Sequence, residues 1–501
     1  MRCSLFRTLG LATAVCGAAA PAALVDAQYD GIIDPPAEYA NGFNAIDTDL
    51  AREWLTFLAG PECAGRGTGQ DGFMLAAYWV ARQFEMMGLA PAGENGTYFQ
   101  NVPFTRTSVN LATSSISGPN GFLRNFGSDF GSSSIRVWKF NGEVVFINAK
   151  GDSAELPENL DLEGKAVVIV ENDVSGSFRT AMNRSGAAVR IYVRDEIVAP
   201  SPSVRRGHGA TLRSSRRRSS LSITRSAAKD LAIAMGVAPS ITASGSTGSR
   251  AVVYAAGNGT LDVSVDVMAE DIYVPNVLAK LEGSDPKLRH QYIGVGAHLD
   301  HNGILNGVIQ PGADDDGSGT TAMLLVAKAL TTNELKPKRS VVFMAFTGEE
   351  KGLVGSGYYA ANPLMPLEDM SCLLQMDMVG RNEEKSDDAP EDNVNTIHLI
   401  GSKRISTQLH NMTIAANDYI QFEFEYDEED VYRRSDHYKF AEKGVPITFL
   451  FSGFHPDYHK ATDTIDKINF DKIVSAARLN YIVVQRIGQL PGLITREVID
   501  D

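Results

Sequence analysis

The sequence predicts an α/β fold in which a mixed, mostly parallel sheet is flanked by helices and carries a small β-rich inserted domain. In the C-terminal half, short apolar runs such as Ser340–Phe346 alternate with segments of helical periodicity. Such runs are typical of parallel strands that are buried on both faces. Residues 138–262 instead contain short β-type runs separated by turn residues, which predicts a separate β-rich unit.

The composition is that of a soluble globular protein with more than one domain. The chain has 501 residues, of which 44% are apolar and 21% charged. The formal net charge of −15 argues against general nucleic-acid binding and is compatible with cationic ligands. No segment after the N-terminus reaches the length of a membrane span, and the oligomeric state cannot be inferred.

Residues 1–27 are predicted to be a signal peptide. Arg2 and Arg7 precede the apolar run Leu9–Ala23, and small residues at 25–27 favour cleavage after Ala27. The mature protein is therefore expected to be periplasmic or extracellular. Cleavage would leave two cysteines, Cys63 and Cys372, and the sequence leaves open whether they pair.

Residues 28–137 are assigned to the N-terminal part of the main domain. A helix is predicted after Asp47, because apolar residues recur every four positions from Ile46 to Leu58. A second helix is predicted over 71–87 and a strand over 97–104, whereas residues 105–135 have weak periodicity.

The predicted insert, residues 138–262, contains an arginine-rich stretch. It could contact anions, but a solvated loop on an acidic protein is the favoured interpretation. The arginines concerned are Arg205, Arg206, Arg213, Arg216, Arg217, Arg218 and Arg225.

Residues 263–501 are assigned to the C-terminal part of the main domain, and polar residues follow its apolar strands. His298 and Asp300 follow the run 292–297, Glu349 and Glu350 follow 340–346, and Asp377 follows 373–376. The last predicted strand, 445–451, leads to Tyr458 and His459. The carboxyl ends of parallel strands meet at one edge, so these side chains are expected to converge.

The pattern predicts a pair of divalent cations at this edge. Each motif is weak alone, since Glu-Glu often begins a helix and the run 314–316 could be a turn, a helix cap or a calcium loop. Three carboxylates beside a histidine are unfavourable unless a cation lies among them. Nitrogen and oxygen donors favour zinc. The predicted ligands are His298, Asp315, Glu350, Asp377 and His459.

Six segments in order resemble the co-catalytic zinc exopeptidases of metallopeptidase family twenty-eight. They are GAHLDH, PGADDDGSG, FTGEEKGLVGS, QMDMVGR, RRSDHYKFAEKGVP and DYHKATDTIDKI. The early segment LAGPECAGRGTG is also similar to the family. The insert resembles a protease-associated domain through DLEGKAVVIV and SGAAVRIYV. The resemblance implies the zinc exopeptidase fold and two Zn²⁺ ions per chain.

The resemblance also implies a role for each residue. His298 and Asp377 would hold one zinc, Glu350 and His459 the other, and Asp315 would bridge them through a loop with a cis Asp315–Asp316 peptide. Asp300 would orient His298, Glu349 would be the general base, and Tyr458 would donate to the substrate carbonyl. Asp436 and His437 match a family motif without an assigned role.

The implied function is that of a secreted aminopeptidase acting on peptides with a free N-terminus. Three alternatives remain: a glutamate-carboxypeptidase-like hydrolase, a non-catalytic binding protein on the same scaffold, and a glutaminyl-cyclase-like acyltransferase. Arg433 and Arg434 keep the first alternative open, because a carboxypeptidase needs a cation for the substrate carboxylate.

Overall fold

The computed structural model describes residues 33–132, 135–197, 200–209, 219–244, 251–385, 389–426 and 431–497. The predicted signal peptide and four of the predicted loop arginines, Arg213 and 216–218, lie outside these ranges. Among the described residues, none of the helices combines the length and the apolar character needed to cross a bilayer.

The described strands are, in chain order, β1 (Ala90–Pro91), β2 (Phe99–Val109), β3 (Ser115–Ser117), β4 (Leu123–Asn125), β5 (Phe130–Ser132), β6 (Trp138–Lys150), β7 (Ala166–Asn172), β8 (Val189–Arg194), β9 (Ser203–Arg206), β10 (Ser219–Thr224), β11 (Val252–Val265), β12 (Val267–Leu281), β13 (Tyr292–His298), β14 (Gly303–Leu305), β15 (Val308–Gln310), β16 (Ser340–Phe346), β17 (Met370–Met376), β18 (Thr396–Ile400), β19 (Glu423–Tyr426) and β20 (Ile447–Phe451).

The described α-helices are α1 (Ala40–Asn44), α2 (Thr48–Leu58), α3 (Asp71–Met86), α4 (Gly176–Arg184), α5 (Arg225–Ala234), α6 (Gly319–Thr332), α7 (Val354–Ala361), α8 (Ser402–Ile405), α9 (Thr407–Ala416), α10 (His437–Ala441) and α11 (Phe470–Gly488). Asp47 caps α2 as the sequence predicts, because its side chain accepts a hydrogen bond from the Leu50 N–H.

The main sheet has the strand order β19-β18-β20-β17-β13-β16-β12-β2-β9, and β1 pairs with β12. Its central block, β20, β17, β13 and β16, is parallel, whereas β12 is antiparallel to β16 and β2 is antiparallel to β12. The predicted fold class, a mixed sheet with helices and a separate β-rich sheet, is therefore confirmed.

Helices cover both faces of the main sheet. Along β16, Val341, Phe343 and Ala345 belong to the core that α6 and α11 share. Val342, Met344 and Phe346 belong to a second core, which includes Tyr359 of α7 and Phe440 of α10. This alternation explains why the whole strand is apolar: neither face meets water.

The second sheet has the order β4-β3-β11-β6-β7-β8-β10-β5. It includes β3–β5, so it takes in residues on the N-terminal side of the predicted boundary at 138. Conversely, β9 lies within the predicted insert yet pairs with β2 of the main sheet. The strands β2 and β12 extend from the main sheet toward the second one and connect the two units.

The two cysteines that the sequence left open are both free and buried. Of the described loop arginines, Arg205 and Arg206 are exposed on β9. Arg225 begins α5, and its Nε lies 2.7 Å from a carboxylate oxygen of Asp195.

Candidate functional site

The polar residues that follow β13, β16, β17 and β20 meet at one edge of the main sheet. His298 ends β13, and Asp377 directly follows β17. Glu349 and Glu350 lie in the short turn Glu349–Lys351 after β16. These strands are parallel neighbours, so their carboxyl ends share an edge, and the loop after β20 brings His459 to it.

Asp315 lies at the centre of this edge, between two groups of side chains. Its Oδ1 is 3.2 Å from His298 Nε2, and the same nitrogen is 3.4 Å from Asp377 Oδ1. Its Oδ2 is 3.0 Å from His459 Nε2, which is 3.4 Å from Glu350 Oε1. The structure thus brings the five predicted ligands together, with one carboxylate common to both groups.

A sixth side chain, His301, belongs to the second group and was not predicted. It is fully buried, and its Nδ1 lies 2.8 Å from Glu350 Oε1 and 3.5 Å from Asp315 Oδ2. The sequence did contain a signal, because His301 follows His298 by three residues in the segment HLDH. We interpreted only the His-x-Asp part of that segment as functional.

The side chains at this edge fit a pair of metal ions. Two combinations of potential ligands are formed, His298–Asp315–Asp377 and His301–Asp315–Glu350. Asp315 Oδ2 and His301 Nδ1 are buried and approach other polar atoms without the geometry of a hydrogen bond, and the buried His301 Nε2 has no hydrogen-bond partner among the described residues. Buried polar atoms normally have partners, and imidazole and carboxylate donors suit zinc. Cations between these groups would supply the missing interactions.

The three successive aspartates have different environments. Asp316 accepts hydrogen bonds from the backbone N–H groups of His298, Gly319 and Met378. Asp314 accepts one from the Gly380 N–H and lies 3.2 Å from His455 Nε2. Only Asp315 faces both groups of the centre. The peptide that joins Asp315 to Asp316 is cis, as the resemblance implies.

Two buried side chains hold the Asp315 loop in place. The guanidinium of Arg66 donates to five backbone carbonyls, those of Leu58, Leu299, Pro311, Gly312 and Asp315. The Asp463 carboxylate accepts from the N–H groups of Asp314 and Asp315. Burial raises the pKa of Asp463 to about 6, and the nearby Asp314 carboxylate adds to this shift.

The contact between Asp300 and His298 differs from the predicted one, because it is made by the Asp300 backbone and not by its side chain. His298 Nδ1 lies 2.9 Å from the backbone carbonyl oxygen of Asp300, not from its carboxylate. The carboxylate instead accepts hydrogen bonds from the Thr68 hydroxyl, at 2.6 Å, and from the Glu349 N–H, at 3.1 Å. Its side chain therefore positions the turn that carries Glu349. The sequence could not separate these two arrangements, because both place Asp300 two residues after His298.

Glu349 lies beside the ligand cluster in an environment that favours its protonated form. Burial raises the pKa of the Glu349 carboxyl well above its ordinary value; His298 opposes this shift, and Asp377 and Asp436 add to it. Asp436 is itself fully buried, and burial raises its pKa to about 7.

A small cavity with a volume of about 30 Å³ and one apolar wall, called the apolar cavity below, opens beside Glu349 and the His298–Asp377 group. Tyr458 lies on its wall, stacked on the His459 ring with centroids 3.8 Å apart. Arg434 Nη2 lies 3.2 Å from the Tyr458 hydroxyl. The remaining lining is apolar and comprises Met378, Val431, Phe449, Phe451 and Phe454. His437, behind this cavity, is buried, which lowers its pKa to about 3.

Residues 276–484 match the model of peptidase family M28. This segment contains all six side chains of the cluster, together with Glu349 and Tyr458.

Curated relatives match a similar part of the chain. Leucine aminopeptidase 1 of Sclerotinia sclerotiorum is 27% identical over 213 residues, which cover 40% of this chain and 54% of that protein. The probable leucine aminopeptidase 2 of Aspergillus fumigatus is 32% identical over 203 residues, which cover 40% of this chain and 37% of that protein. The chain thus spans about half or less of these relatives' length.

Two solved structures share the fold over most of the chain. An aminopeptidase from Aneurinibacillus sp. strain AM-1 superimposes with a TM-score of 0.50 and 20% identity, covering 92% of this chain and 98% of its own. The zinc aminopeptidase BSAP from Bacillus subtilis gives a TM-score of 0.52 and 18% identity, with 88% and 95% covered. At these identities, the likeness shows that the chain has the zinc exopeptidase fold.

Proposed function

We propose that this protein is a dinuclear zinc aminopeptidase. The observation that carries the proposal is the position of Asp315, whose two carboxylate oxygens face two separate groups of histidine and carboxylate donors. A shared carboxylate between two ligand sets is typical of two-metal hydrolytic sites, in which the ions are roughly 3.5–4 Å apart. The match to peptidase family M28 supports the same conclusion.

The side chains divide into two ligand sets. His298 and Asp377 would hold one zinc, Glu350 and His459 the other, and Asp315 both. His301 adjoins the Glu350 set as an additional donor. When bound, the ions supply Lewis acidity, which lowers the pKa of water and polarises a carbonyl group.

Glu349 is proposed as the general base. It borders the cavity and the ligand sets without belonging to either set. Its carboxylate would accept a proton from the attacking water and return that proton to the leaving amine. Tyr458 shares the cavity and would donate a hydrogen bond to the oxygen of the scissile carbonyl as negative charge develops there.

The apolar cavity is proposed to hold the side chain of the N-terminal residue. Three phenylalanines, a valine and a methionine form one wall of it next to the proposed base, so an apolar side chain would be favoured there. The names of the relatives, leucine aminopeptidases, support this preference. The carboxylates that surround the centre would attract the positively charged α-amine of a peptide.

A carboxypeptidase acting on acidic substrates is the second candidate. Arg434 favours it, because this cation lines the same cavity and could bind a substrate carboxylate. However, the Arg434 guanidinium lies 4.9 Å from the Phe454 ring centroid and contacts the Tyr458 hydroxyl. This guanidinium is therefore held against an aromatic wall, and we favour the aminopeptidase.

Export and the identity of the insert are part of the proposal. Residues 1–27 would direct the protein to the periplasm or the extracellular space. The second sheet, with four parallel strands, β6, β7, β8 and β10, and two helices, would be a protease-associated domain.

The test is a substrate panel on the purified protein with and without chelator. We expect hydrolysis of leucine and phenylalanine p-nitroanilides, loss of activity in chelator, and recovery when zinc is restored. N-acetyl-leucine p-nitroanilide, which lacks the free amine, should not be cleaved. Hydrolysis of C-terminal glutamyl peptides with no cleavage of the p-nitroanilides would replace this proposal with the second candidate.

A further inference from the structure

We infer that a second cleft binds the part of the peptide that follows the scissile bond, and that Lys351 recognises its terminal carboxylate. The inference rests on the proposed function and identifies its substrate class as short peptides with a free C-terminus. The cleft has a volume of about 240 Å³ and lies outside the apolar cavity. It is lined by Gly67, Thr68, Gln70, Ser201, Pro202, Ser203, Val204, Asn302, Leu305 and Lys351.

This cleft borders the Glu350 side of the metal centre. Asn302 donates a hydrogen bond to Glu350 Oε1 at 3.2 Å, and Thr68 donates to the carboxylate of Asp300. The apolar cavity instead borders His298, Asp377 and Glu349. None of the residues that line one cavity lines the other. A peptide whose first side chain occupies the apolar cavity could therefore continue past the centre into the cleft.

The predicted insert supplies one wall of this cleft. Its strand β9 packs against the turn Glu349–Lys351 and pairs with β2 at the edge of the main sheet. The preceding Ser201 donates a hydrogen bond of 2.6 Å to the backbone carbonyl of Ile304 in β14. These contacts give the insert a direct part in shaping the site.

Lys351 carries the charge that would select the ligand. It is only partly exposed, directly follows the proposed zinc ligand Glu350, and forms no ion pair with the residues that the structure describes. Its side chain lines the cleft together with Asn302, which donates a hydrogen bond to Glu350. A partly buried, unpaired ammonium is complementary to a carboxylate.

The size of the cleft limits the ligand. Pockets for small molecules usually enclose about 300–1,000 Å³, so this cleft suits one or two residues of a peptide. One extended residue spans roughly 3.3–3.6 Å. The terminal carboxylate of a dipeptide or tripeptide would thus lie within reach of a lysine adjacent to the centre, whereas longer peptides would place it farther away.

The first test compares substrates that differ only at the C-terminus. In the wild type, kcat/KM for Leu-Gly should exceed that for Leu-Gly-amide about tenfold or more, a difference that corresponds to about 1.4 kcal/mol. The variant Lys351→Met should bring this ratio close to one, and Lys351→Arg should preserve most of it. Lys229→Met, which changes an exposed lysine in α5, is the matched control.

Leucine p-nitroanilide separates this inference from the proposed function, because it has no carboxylate for Lys351. Its hydrolysis by the wild type tests the aminopeptidase proposal alone, whereas the acid-to-amide ratio tests Lys351. An acid-to-amide ratio that is unchanged in Lys351→Met, with p-nitroanilide activity intact, would overturn the role of Lys351 and leave the aminopeptidase proposal standing.

A binding measurement keeps the inference testable even if no substrate is cleaved. Calorimetry on the zinc-loaded protein should show that diglycine binds at least several-fold more tightly than diglycinamide. Lys351→Met should abolish this difference. Equal affinity for the two compounds in the wild type would contradict the inference, whatever the catalytic result.

Discussion

At the scale of single residues, the three successive aspartates show why a motif does not by itself define a site. The Asp316 carboxylate accepts hydrogen bonds from backbone N–H groups. The Asp314 carboxylate accepts one from the Gly380 N–H and contacts His455. Only Asp315 has one carboxylate oxygen beside His298 and the other beside His459. Its neighbours position the loop, and Asp315 is the one whose oxygens are available to metal ions.

The role of Glu349 leads to the first prediction. Glu349→Gln should retain both metals, because Glu349 is in neither ligand set. It should lower kcat for leucine p-nitroanilide by about 10²–10⁴, the usual contribution of a positioned general base. Metal analysis and steady-state kinetics on the same preparation test this. A variant with full metal content and near-normal kcat would exclude Glu349 as the base.

His301 leads to the second prediction. Its Nδ1 lies 2.8 Å from Glu350, so His301→Ala should weaken one of the two zinc affinities by about 10–100-fold and leave the other nearly unchanged. Competition with a chromophoric chelator measures both affinities. His290→Ala, at an exposed position, is the control. If both affinities matched the wild type, His301 would be only a neighbour of the centre.

These residues also mark the limit of sequence interpretation at this scale. The five predicted ligands could be found because each follows an apolar strand or a glycine-rich loop. His301 was missed because it lies in a short loop after β13, where residue spacing does not fix the direction of a side chain. The contact between His298 and the Asp300 backbone was missed because a backbone carbonyl leaves no signal in the residue type.

At the scale of elements, long periodic segments were predicted well and short ones were not. The strand Ser340–Phe346 has the predicted bounds, and the helix predicted over 71–87 is observed as Asp71–Met86. In contrast, β3, β4 and β5 have three residues each and lie in a segment with weak periodicity. Three residues are too few to show alternation, and their pairing is fixed by distant partners.

The helix α11 leads to the third prediction, which concerns pH. It buries Lys472, whose Nζ donates to the backbone carbonyls of Arg381 and Asn393. Burial lowers the pKa of Lys472 to about 7 from its ordinary 10.5. Between these two pH values the unfolded chain binds more protons than the folded one, so this lysine makes the free energy of unfolding rise with pH.

Lys472→Met should remove that contribution. Denaturant titrations at several pH values from 7 to 10 should give a smaller increase in the free energy of unfolding for the variant than for the wild type. The exposed Lys229→Met serves as control. Equal slopes for wild type and Lys472→Met would show that the buried lysine keeps an ordinary pKa.

At the scale of the whole molecule, the fourth prediction is that metal ions stabilise the fold. The ligands come from distant parts of the chain, between His298 and His459, and meet only when the sheet is folded. Zinc at a hundred times its dissociation constant would add about 2.7 kcal/mol per site. Calorimetry should show a Tm at least about 5 °C lower in chelator. An unchanged Tm would mean that the folded protein binds no metal.

The order of the strands explains why the site could be predicted more completely than the arrangement of the domains. Parallel neighbours in the main sheet bring their polar ends together, a consequence that follows from the apolar runs alone. The placement of β9 on the main sheet and of β3–β5 in the second sheet depends on contacts between segments far apart in the sequence. Those pairings leave no local pattern, so they were not anticipated.

The zinc stoichiometry of wild type and Asp315→Ala tests the shared-carboxylate site most directly. After removal of metal and titration with zinc, the wild-type protein should bind two equivalents per chain. Asp315→Ala should retain neither at micromolar free zinc, while Lys229→Met should bind two. Two tightly bound zinc ions in Asp315→Ala, or only one in the wild type, would contradict a pair of metals that share this carboxylate.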